Sequence, residues 1–365
     1  MKIALVLGTR PEIIKLAPII KKIGSKNCSV IFTGQHYDRK MGLGFMRDLD
    51  LPKPDYSLNI TKSNPQLQIS EIIGKLSKIL IKDDFDSVIV QGDTNTVLAA
   101  GICSLKSNIP ISHVESGLRS NDWRMPEEHN RITIDHLSEF LFAPTKNTKF
   151  NLISEKVHGQ IFVTGNTVID AINIYSKISK KKSKLLIPST EFILSTLHRA
   201  ENVDDRKTLS RILKGLINSN KKIIFPIHPR TKNIYEKSGL KADKLVKFID
   251  PLGFIDYNKL QLESFVVLSD SGTIFEESSI LNFRALNIRE SHERPEAIEE
   301  TSVVVTGLKI ERILQGIKML ENQTTGENRN INLVSDYNIS NVSIKIERII
   351  LSHIDFVNRV VWQKE

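Results

Sequence analysis

Residues 2–12 read Lys-Ile-Ala-Leu-Val-Leu-Gly-Thr-Arg-Pro-Glu. The apolar run at 2–7 is typical of a buried strand, and Pro11 stands where a helix begins. From Ile13 to Ile23 the apolar residues recur at helical spacing. A strand, a tight turn and an amphipathic helix in this order indicate a βαβ unit, and therefore a parallel α/β sheet.

The same alternation of short β-branched runs and longer amphipathic segments continues along the chain. Further strands are predicted at 29–33, 87–91, 109–115, 140–143, 161–164, 192–197, 222–226, 245–249, 265–269, 285–288 and 303–306. Helices are predicted near 94–105, 146–154, 167–175, 207–217, 257–262, 274–281 and 311–320. The fold class that this pattern favours is α/β, with two Rossmann-like doubly wound domains facing a cleft.

Composition places the division between the two domains. The segment 176–190 is rich in lysine and serine and is interpreted as a hinge. The N-terminal domain then covers 1–175 and the C-terminal domain 191–340. The last apolar helix, within 341–365, is expected to pack back on the N-terminal domain.

Charge and cysteine content exclude several classes of protein. The chain has 365 residues and a net charge of +9, but the lysines are scattered and no nucleic-acid-binding signature is present. Cys28 and Cys103 have neither metal-binding nor redox spacing, and we expect buried free thiols in a reducing cytosol. No secretory leader or membrane-spanning stretch is recognised. We therefore expect a cytoplasmic protein that binds neither nucleic acid nor a metal.

Polar residues follow the predicted strands of the first domain, at the edge where doubly wound sheets bind ligands. Gly8 and Pro11 frame a turn that is either a phosphate contact or a plain βα turn. Asp93 is either functional or a helix cap. Glu115 ends a buried strand, where an unpaired carboxylate is costly. Glu127 either complements the dipole of its helix or projects into the cleft.

The second domain shows a comparable series. His198 and Arg199 follow its first strand, and His228 follows the next, where a structural role is favoured. After residue 269, Ser271-Gly272-Thr273 opens a helix whose free N–H groups suit a diphosphate. A glutamate one turn into that helix can accept hydrogen bonds from a ribose diol. This arrangement is typical of sugar-nucleotide enzymes.

Taken together, the strand-end motifs resemble the non-hydrolysing UDP-N-acetylglucosamine 2-epimerases along nearly the whole chain. No single motif is specific, but their order and spacing are. The matching segments are Gly8–Glu12, 91–94 (Gln-Gly-Asp-Thr), 113–119 (His-Val-Glu-Ser-Gly-Leu-Arg), 126–131 (Pro-Glu-Glu-His-Asn-Arg), 164–170 (Thr-Gly-Asn-Thr-Val-Ile-Asp), 198–199 (His-Arg), 270–273 (Asp-Ser-Gly-Thr) and 276–277 (Glu-Glu).

The resemblance implies the two-domain fold of the glycosyltransferase-B type, a homodimer and a role in surface polysaccharide synthesis. It implies catalytic counterparts at Asp93, Glu115, Glu127 and His198. It also implies UDP contacts at Arg10, Lys15, His198, Arg199, Ser271, Gly272, Thr273, Glu277 and Arg294. The partner that it implies is a UDP-N-acetylhexosamine, with no cofactor and no metal.

The implied reaction fits these residue types. The C2 proton of an acetamido sugar is weakly acidic, so C1–O cleavage must accompany its removal and give a glycal. This step needs a carboxylate base and cationic help for the departing UDP. We favour Asp93 and Glu115 for proton transfer, Glu127 for orienting them and His198 for stabilising UDP. Trapping the glycal requires closure of a dry cleft.

Some positions depart from the family pattern. Thr273 stands where the usual phosphate loop has a second glycine, and Ala200 replaces an arginine. The regions 279–283 and 289–296 are closer to a branch acting on UDP-2-acetamido-2,6-dideoxy-L-hexoses. Gln35 and Gln66 match part of an activating substrate site, but Pro65 replaces its arginine, which argues against allosteric activation.

Four alternatives remain open at this point. The first is the UDP-2-acetamido-2,6-dideoxy-L-talose 2-epimerase of the branch just named, which makes UDP-N-acetyl-L-fucosamine. The second is a UDP-sugar glycosyltransferase of the same fold, which would not need three clustered acids. The third is a hydrolysing epimerase, and the fourth is an inactive nucleotide-binding regulator.

Overall fold

A computed structural model of the chain describes residues 1–34, 39–183, 185–227, 229–238, 243–289 and 292–364. The chain divides into two units. Unit 1 comprises Met1–Asn173 and Ile339–Glu365, and unit 2 comprises Ile174–Asn338. Each unit contains one parallel sheet with helices between its strands, which confirms the predicted α/β class.

The sheet of unit 1 reverses its strand order beside β1. Its strands are β1 (Ile3–Leu7), β2 (Cys28–Phe32), β3 (Tyr56–Ser57), β4 (Ser87–Gln91), β5 (Ile111–Val114), β6 (Phe140–Ala143) and β7 (Gln160–Val163). They pair in parallel in the order β3-β2-β1-β4-β5-β6-β7. The order changes direction between β1 and β4, and ligands of doubly wound sheets bind at such a point.

The helices of unit 1 begin where the sequence provides a proline or a capping side chain. Pro11, Pro65 and Pro126 each lie in a first turn, and the Asn64 side chain accepts hydrogen bonds from the next turn. The helices are α1 (Arg10–Ile23), α2 (Arg39–Asp48), α3 (Pro65–Lys82), α4 (Asn95–Lys106), α5 (Pro126–Leu137), α6 (Lys146–Ser154) and α7 (Thr167–Lys182). Helix α7 crosses the boundary into unit 2, so residues 176–182 of the proposed hinge are helical.

Unit 2 repeats this plan. Its strands are β8 (Phe192–Thr196), β9 (Lys222–Pro226), β10 (Val246–Ile249), β11 (Val266–Ser269), β12 (Ala285–Asn287) and β13 (Val304–Val305), in the order β10-β9-β8-β11-β12-β13. Its helices are α8 (Ala200–Val203), α9 (Arg206–Ile217), α10 (Pro229–Ser238), α11 (Phe254–Glu263), α12 (Ile274–Leu281), α13 (Pro295–Glu299) and α14 (Ile310–Leu320). The strand order reverses between β8 and β11.

The last helix, α15 (Val342–Phe356), belongs to unit 1 and packs against α1. Its start is held by the carboxylate of Asp170, which accepts hydrogen bonds from the backbone N–H of Ser343 at 2.8 Å and from the Ser343 hydroxyl at 2.6 Å. Gly165 has a φ of +94°, and a Cβ there would lie 2.9 Å from Val342. A glycine is therefore required where the chain returns to this unit.

The cores of the two units are apolar on both faces of each sheet. All five residues of β1 are 0 % exposed, as expected for a parallel strand covered by helices on both sides. Cys28 and Cys103 are buried free thiols. Among the described residues, every helix is too short or too polar to cross a membrane.

Candidate active site

The turn after β1 is tied to the turn after β4 by one buried carboxylate. Glu12 is 1 % exposed. Its Oε2 accepts hydrogen bonds from the backbone N–H of Gly8 at 2.5 Å and of Thr9 at 2.9 Å, and its Oε1 accepts the Thr94 hydroxyl at 2.5 Å. Burial raises the pKa of Glu12 to about 7 despite these hydrogen bonds. Glu12 thus joins the Arg10 turn to the turn that carries Asp93.

The two cations that follow β1, Arg10 and Lys15, have different surroundings. The guanidinium of Arg10 lies over the ring of Phe45, 4.5 Å from its centroid. Lys15 is only 6 % exposed, and its Nζ lies 2.5 Å from Oε2 of Glu115. Lys15 is thus paired with a carboxylate of its own unit. The contact between Lys15 and a phosphate stays a prediction.

Glu115 lies just beyond the end of β5, which is shorter than the strand predicted at 109–115. Its φ is +70°, a left-handed conformation that costs a non-glycine residue about 1–3 kcal/mol and is frequent at functional sites. The strand ends at Val114, so Glu115 lies in the turn that follows it.

Side chains from distant parts of unit 1 hold the carboxylate of Glu115, which is 5 % exposed. Besides Lys15, the amide of Gln91 donates to Oε2, and the amide of Asn166 donates to Oε1 at 3.0 Å. These partners come from α1, from the end of β4 and from the start of α7. Together these donors hold the carboxylate in one position.

Asp93 lies in the turn between β4 and α4, directly after Gly92. Its Oδ2 accepts hydrogen bonds from Nε of Arg131 at 3.1 Å and from Nη2 at 2.5 Å. The amide of Asn130 donates to the backbone carbonyl of Asp93 at 2.9 Å. Asp93 is partly exposed, so its side chain is both oriented and accessible.

The first turn of α5 places its two glutamates differently. Glu127 is exposed, which agrees with either reading of it, a dipole partner or a group that projects outward. Glu128 is 1 % exposed and accepts hydrogen bonds from Arg131 at 2.7 Å and from Asn121 N–H at 2.8 Å. Arg131 thus bridges Asp93 and Glu128. Neither Arg131 nor Glu128 had a predicted role.

A second buried network supports the same turn. The Nδ1 of His113 lies 2.7 Å from Asp135, and its Nε2 lies 2.8 Å from the carbonyl of Gly92. Both His113 and Asp135 are 0 % exposed, and Arg119 lies 2.8 Å from the other oxygen of Asp135. The carbonyl that precedes Asp93 is therefore fixed from within the core.

In unit 2, Asp270 organises the residues that follow β8. It is 0 % exposed and accepts hydrogen bonds from the backbone N–H of His198 at 3.0 Å, the backbone N–H of Arg199 at 2.9 Å and the amide of Asn202 at 3.1 Å. Burial alone would raise the pKa of Asp270, but His198, the Arg199 backbone and Asn202 outweigh it and lower the pKa to about 2.

The same carboxylate orients the imidazole of His198. Its Nδ1 lies 3.0 Å from Asp270, and the side chain is 46 % exposed. A carboxylate at Nδ1 favours the tautomer with its proton on that nitrogen and leaves Nε2 as the nitrogen for chemistry. Asp270 was part of the sequence motif, but only the structure shows this role.

The loop Ser271-Gly272-Thr273 leads into α12, and all three residues are partly exposed. A Cβ at Gly272 would lie 3.2 Å from Nη1 of Arg294 and 3.6 Å from Nη1 of Arg289. The loop thus combines the N–H groups of a helix start with two nearby guanidinium groups. This combination suits an anion.

Carboxylates neutralise both of these arginines. Arg294 is 5 % exposed, and its Nε lies 2.5 Å from Glu276. Arg289 is 3 % exposed, and its Nη2 lies 2.8 Å from Glu293. The cations are consequently held in fixed positions beside the loop.

Glu277 lies on the first turn of α12 and is 9 % exposed. Its carboxylate accepts hydrogen bonds from Thr273 and from Gln261 of α11. Thr273 and Glu277 were predicted as UDP contacts, whereas Gln261 had no predicted role.

Several residues named from the sequence lie outside the hydrogen-bond networks described above. Gln66 is exposed at the start of α3, whereas Gln35, His228, Glu290 and Ser291 lie outside the described residues. Within the described part of the chain, no three His, Cys, Asp or Glu side chains are grouped so as to hold a metal ion.

A family model described as UDP-N-acetylglucosamine 2-epimerase matches residues 20–351. The chain belongs to this family. Its members are isomerases, so the predicted enzyme class is confirmed. The match covers both units, including every predicted site residue except Arg10 and Lys15, which precede it.

Individual relatives agree with this assignment. A UDP-N-acetylglucosamine 2-epimerase of Methanococcus maripaludis is 41% identical over 336 residues, which cover 88% of this chain and 92% of the relative. A UDP-2,3-diacetamido-2,3-dideoxy-D-glucuronate 2-epimerase of Pseudomonas aeruginosa is 34% identical over 328 residues, 87% of this chain and 92% of the relative.

A solved structure extends the likeness to the fold. The crystal structure of the Methanocaldococcus jannaschii UDP-GlcNAc 2-epimerase in complex with UDP-GlcNAc and UDP has a TM-score of 0.88 and 37% identity, and the match covers 96% of this chain and 100% of that one. This likeness confirms the predicted fold class, two Rossmann-like domains of the glycosyltransferase-B type.

Proposed function

We propose that the chain interconverts UDP-N-acetylglucosamine and UDP-N-acetylmannosamine by eliminating UDP to a 2-acetamidoglucal and adding UDP back. The observation that carries this proposal is the setting of Glu115. It is a buried carboxylate in a left-handed conformation, held by Lys15, Gln91 and Asn166 at the carboxyl edge of the sheet. A fold gains no stability from such strain, whereas a base that must hold its position benefits from it.

The proposed chemistry needs no outside oxidant or reductant. A carboxylate of unit 1 takes the C2 proton, the electrons of the C–H bond form the C1–C2 double bond, and the C1–O bond breaks with its electrons on the β-phosphate of UDP. In the return step, the phosphate oxygen attacks C1 and C2 takes a proton on its opposite face. Asp93 and Glu115 are the proposed proton carriers, and exposed Glu127 is proposed to orient the sugar or these acids.

Unit 2 is proposed to carry UDP. The loop Ser271-Gly272-Thr273 and the guanidinium of Arg294 offer donors for a diphosphate. His198, oriented by Asp270, is proposed to stabilise the departing phosphate together with Arg199. Glu277 is proposed to accept the ribose hydroxyls.

Unit 1 contributes one further phosphate contact in this proposal, from Arg10. The ion pair of Lys15 with Glu115 favours a role for this ammonium at the carboxylate over a phosphate contact. Domain closure over the glycal, a homodimeric state and a cytosolic location remain part of the proposal. Sedimentation of the purified chain tests the dimer.

Proton NMR of the purified enzyme with UDP-N-acetylglucosamine in heavy water tests the reaction. The expected result is the manno epimer with deuterium at C2 and no accumulation of free UDP. Free UDP together with free sugar would exclude the non-hydrolysing mechanism. Transfer of the sugar to an added acceptor, without deuterium at C2, would indicate a glycosyltransferase.

The identity of the sugar needs a panel of substrates. The Pseudomonas aeruginosa relative is named for a different UDP-sugar, and Thr273 departs from the usual phosphate loop. The panel should therefore include UDP-2-acetamido-2,6-dideoxy-L-talose. If only this compound exchanges its C2 proton, the reaction stands and the proposed substrate is wrong.

A further inference from the structure

The carboxylate of Glu277 is held from two sides by residues of different helices. Thr273 at the start of α12 donates its hydroxyl to Oε1 at 2.8 Å. Gln261 of α11 donates its amide to Oε2 at 2.5 Å. Gln261 is 1 % exposed, so its side chain lies within the protein and fixes the carboxylate from the core side.

Thr273 also belongs to the loop that is proposed to hold the diphosphate. Its hydroxyl lies 3.1 Å from the hydroxyl of Ser271, and its backbone N–H donates to the same oxygen at 3.3 Å. One side chain therefore connects the phosphate loop to the carboxylate one turn later. A glycine, which the family pattern has at this position, cannot make this connection.

We propose that Gln261 and Thr273 are positioning residues that fix the Glu277 carboxylate for both hydroxyls of a ribose. The inference rests on the proposed UDP site. A carboxylate accepts hydrogen bonds on both of its oxygens, so a donor at each oxygen sets its plane. A carboxylate fixed before binding loses less side-chain entropy when the diol arrives, and this favours affinity.

The fixed position of the Glu277 carboxylate also predicts that the site prefers a ribonucleotide to a 2′-deoxyribonucleotide. If Glu277 is fixed to accept two neighbouring hydroxyls, a nucleotide that lacks the 2′-hydroxyl leaves part of a desolvated carboxylate unsatisfied. A site built to bind a hydroxyl rejects the analogue without it more strongly than an adaptable site does. The preference for UDP over 2′-deoxy-UDP therefore measures how firmly Glu277 is held.

Isothermal titration calorimetry of the full chain with UDP and with 2′-deoxy-UDP tests the proposal. The native chain should prefer UDP by roughly tenfold or more. In Gln261→Met, the dissociation constant for UDP should rise about tenfold while that for 2′-deoxy-UDP changes less than about threefold, because only UDP uses the held carboxylate. The preference should therefore nearly disappear.

A matched pair at Thr273 provides an independent test. Thr273→Val keeps the side-chain shape but removes the hydroxyl, and it should lower the preference for UDP. Thr273→Ser keeps the hydroxyl and should retain the native preference. Gln68→Met, at a glutamine of unit 1 that is 6 % exposed, controls for the loss of a buried amide elsewhere and should leave the preference unchanged.

Three results would overturn the inference in distinguishable ways. An unchanged preference in both Gln261→Met and Thr273→Val would show that the two donors do not position Glu277. Equal affinity of the native chain for both nucleotides would show that Glu277 does not bind the diol. A native chain that binds neither nucleotide would overturn the proposed UDP site itself, and the inference with it.

Discussion

The two units place carboxylates at equivalent points of their sheets but stabilise them differently. In unit 1, Glu115 is paired with the ammonium of Lys15, and Asp93 with the guanidinium of Arg131. In unit 2, Asp270 accepts hydrogen bonds from two backbone N–H groups, an amide and an imidazole. Unit 1 thus pairs the carboxylates of Glu115 and Asp93 with cations, whereas unit 2 uses its carboxylate to orient hydrogen-bond donors.

Glu12 and Asp270 show how the partners of a buried carboxylate change its pKa. Like Asp270 it is buried and accepts backbone N–H groups, yet burial raises the pKa of Glu12 to about 7. For Asp270, His198 and the surrounding donors outweigh burial, and the pKa falls to about 2. For Glu12, two backbone donors and a hydroxyl therefore do not offset burial, whereas for Asp270 the donors together with His198 do.

The largest effect is expected from Glu115→Gln. The amide can occupy the same space but cannot take a proton, so the epimerisation rate should fall by roughly 100- to 10,000-fold. The affinity for UDP should change little, because Glu115 makes none of the proposed UDP contacts. Proton NMR gives the rate, and calorimetry with UDP gives the affinity.

A buried glutamate that contacts the opposite end of β5 gives the matched control. Glu139 is 5 % exposed and accepts the backbone N–H of Ile111, the first residue of β5, at 2.6 Å. Glu139→Gln should retain activity within about threefold, since it lies at the amino edge of the sheet. A Glu115→Gln enzyme as active as this control would refute the catalytic assignment of Glu115.

The sequence predicted the parts of the fold that depend on local pattern. Apolar runs, prolines at helix starts and glycine turns placed nearly all strands. No element was predicted between residues 34 and 86, although α3 buries Gln68, Ile72, Leu76 and Leu80 at intervals of four. This spacing is a clear helical signal that the sequence analysis did not use.

The site was predicted less completely, because its contacts join distant residues. The family resemblance implied a catalytic role for Glu115 and a UDP contact for Lys15, but the two are 100 positions apart, and no local pattern pairs them. Neighbouring glutamates on α5 show a second limit. Successive helical residues point in different directions, and only packing determines that Glu128 is buried while Glu127 is exposed.

The next largest effect is expected from Lys15→Met, which tests whether the cation is needed for the stability of unit 1. Removing one partner of a buried ion pair costs roughly 3–5 kcal/mol of the free energy of unfolding. Trp123 and Trp362, the two tryptophans of the chain, both belong to unit 1. Urea unfolding followed by tryptophan fluorescence therefore reports on this unit.

The double variant Lys15→Met with Glu115→Gln separates charge from packing. It should recover most of the lost stability, because no uncompensated carboxylate remains. If the double variant is as unstable as the sum of the two single variants, the packing of the Lys15 stem matters and its charge does not.

A smaller effect, with a defined pH window, is expected from Glu12. The folded-state pKa is about 7 against an ordinary value of 4.5, so between these pH values the unfolded chain has lost a proton that the folded chain keeps. The contribution to stability is then fully present below pH 4.5 and is lost as pH rises to 7, by at most about 3 kcal/mol.

Glu12→Gln imitates the protonated side chain and should remove this dependence. Urea unfolding of both proteins at pH 5 and pH 8 should give a difference that grows with pH in favour of the variant. A difference independent of pH would mean that the hydrogen-bond donors of Glu12 offset its burial, and the contrast drawn with Asp270 would fail.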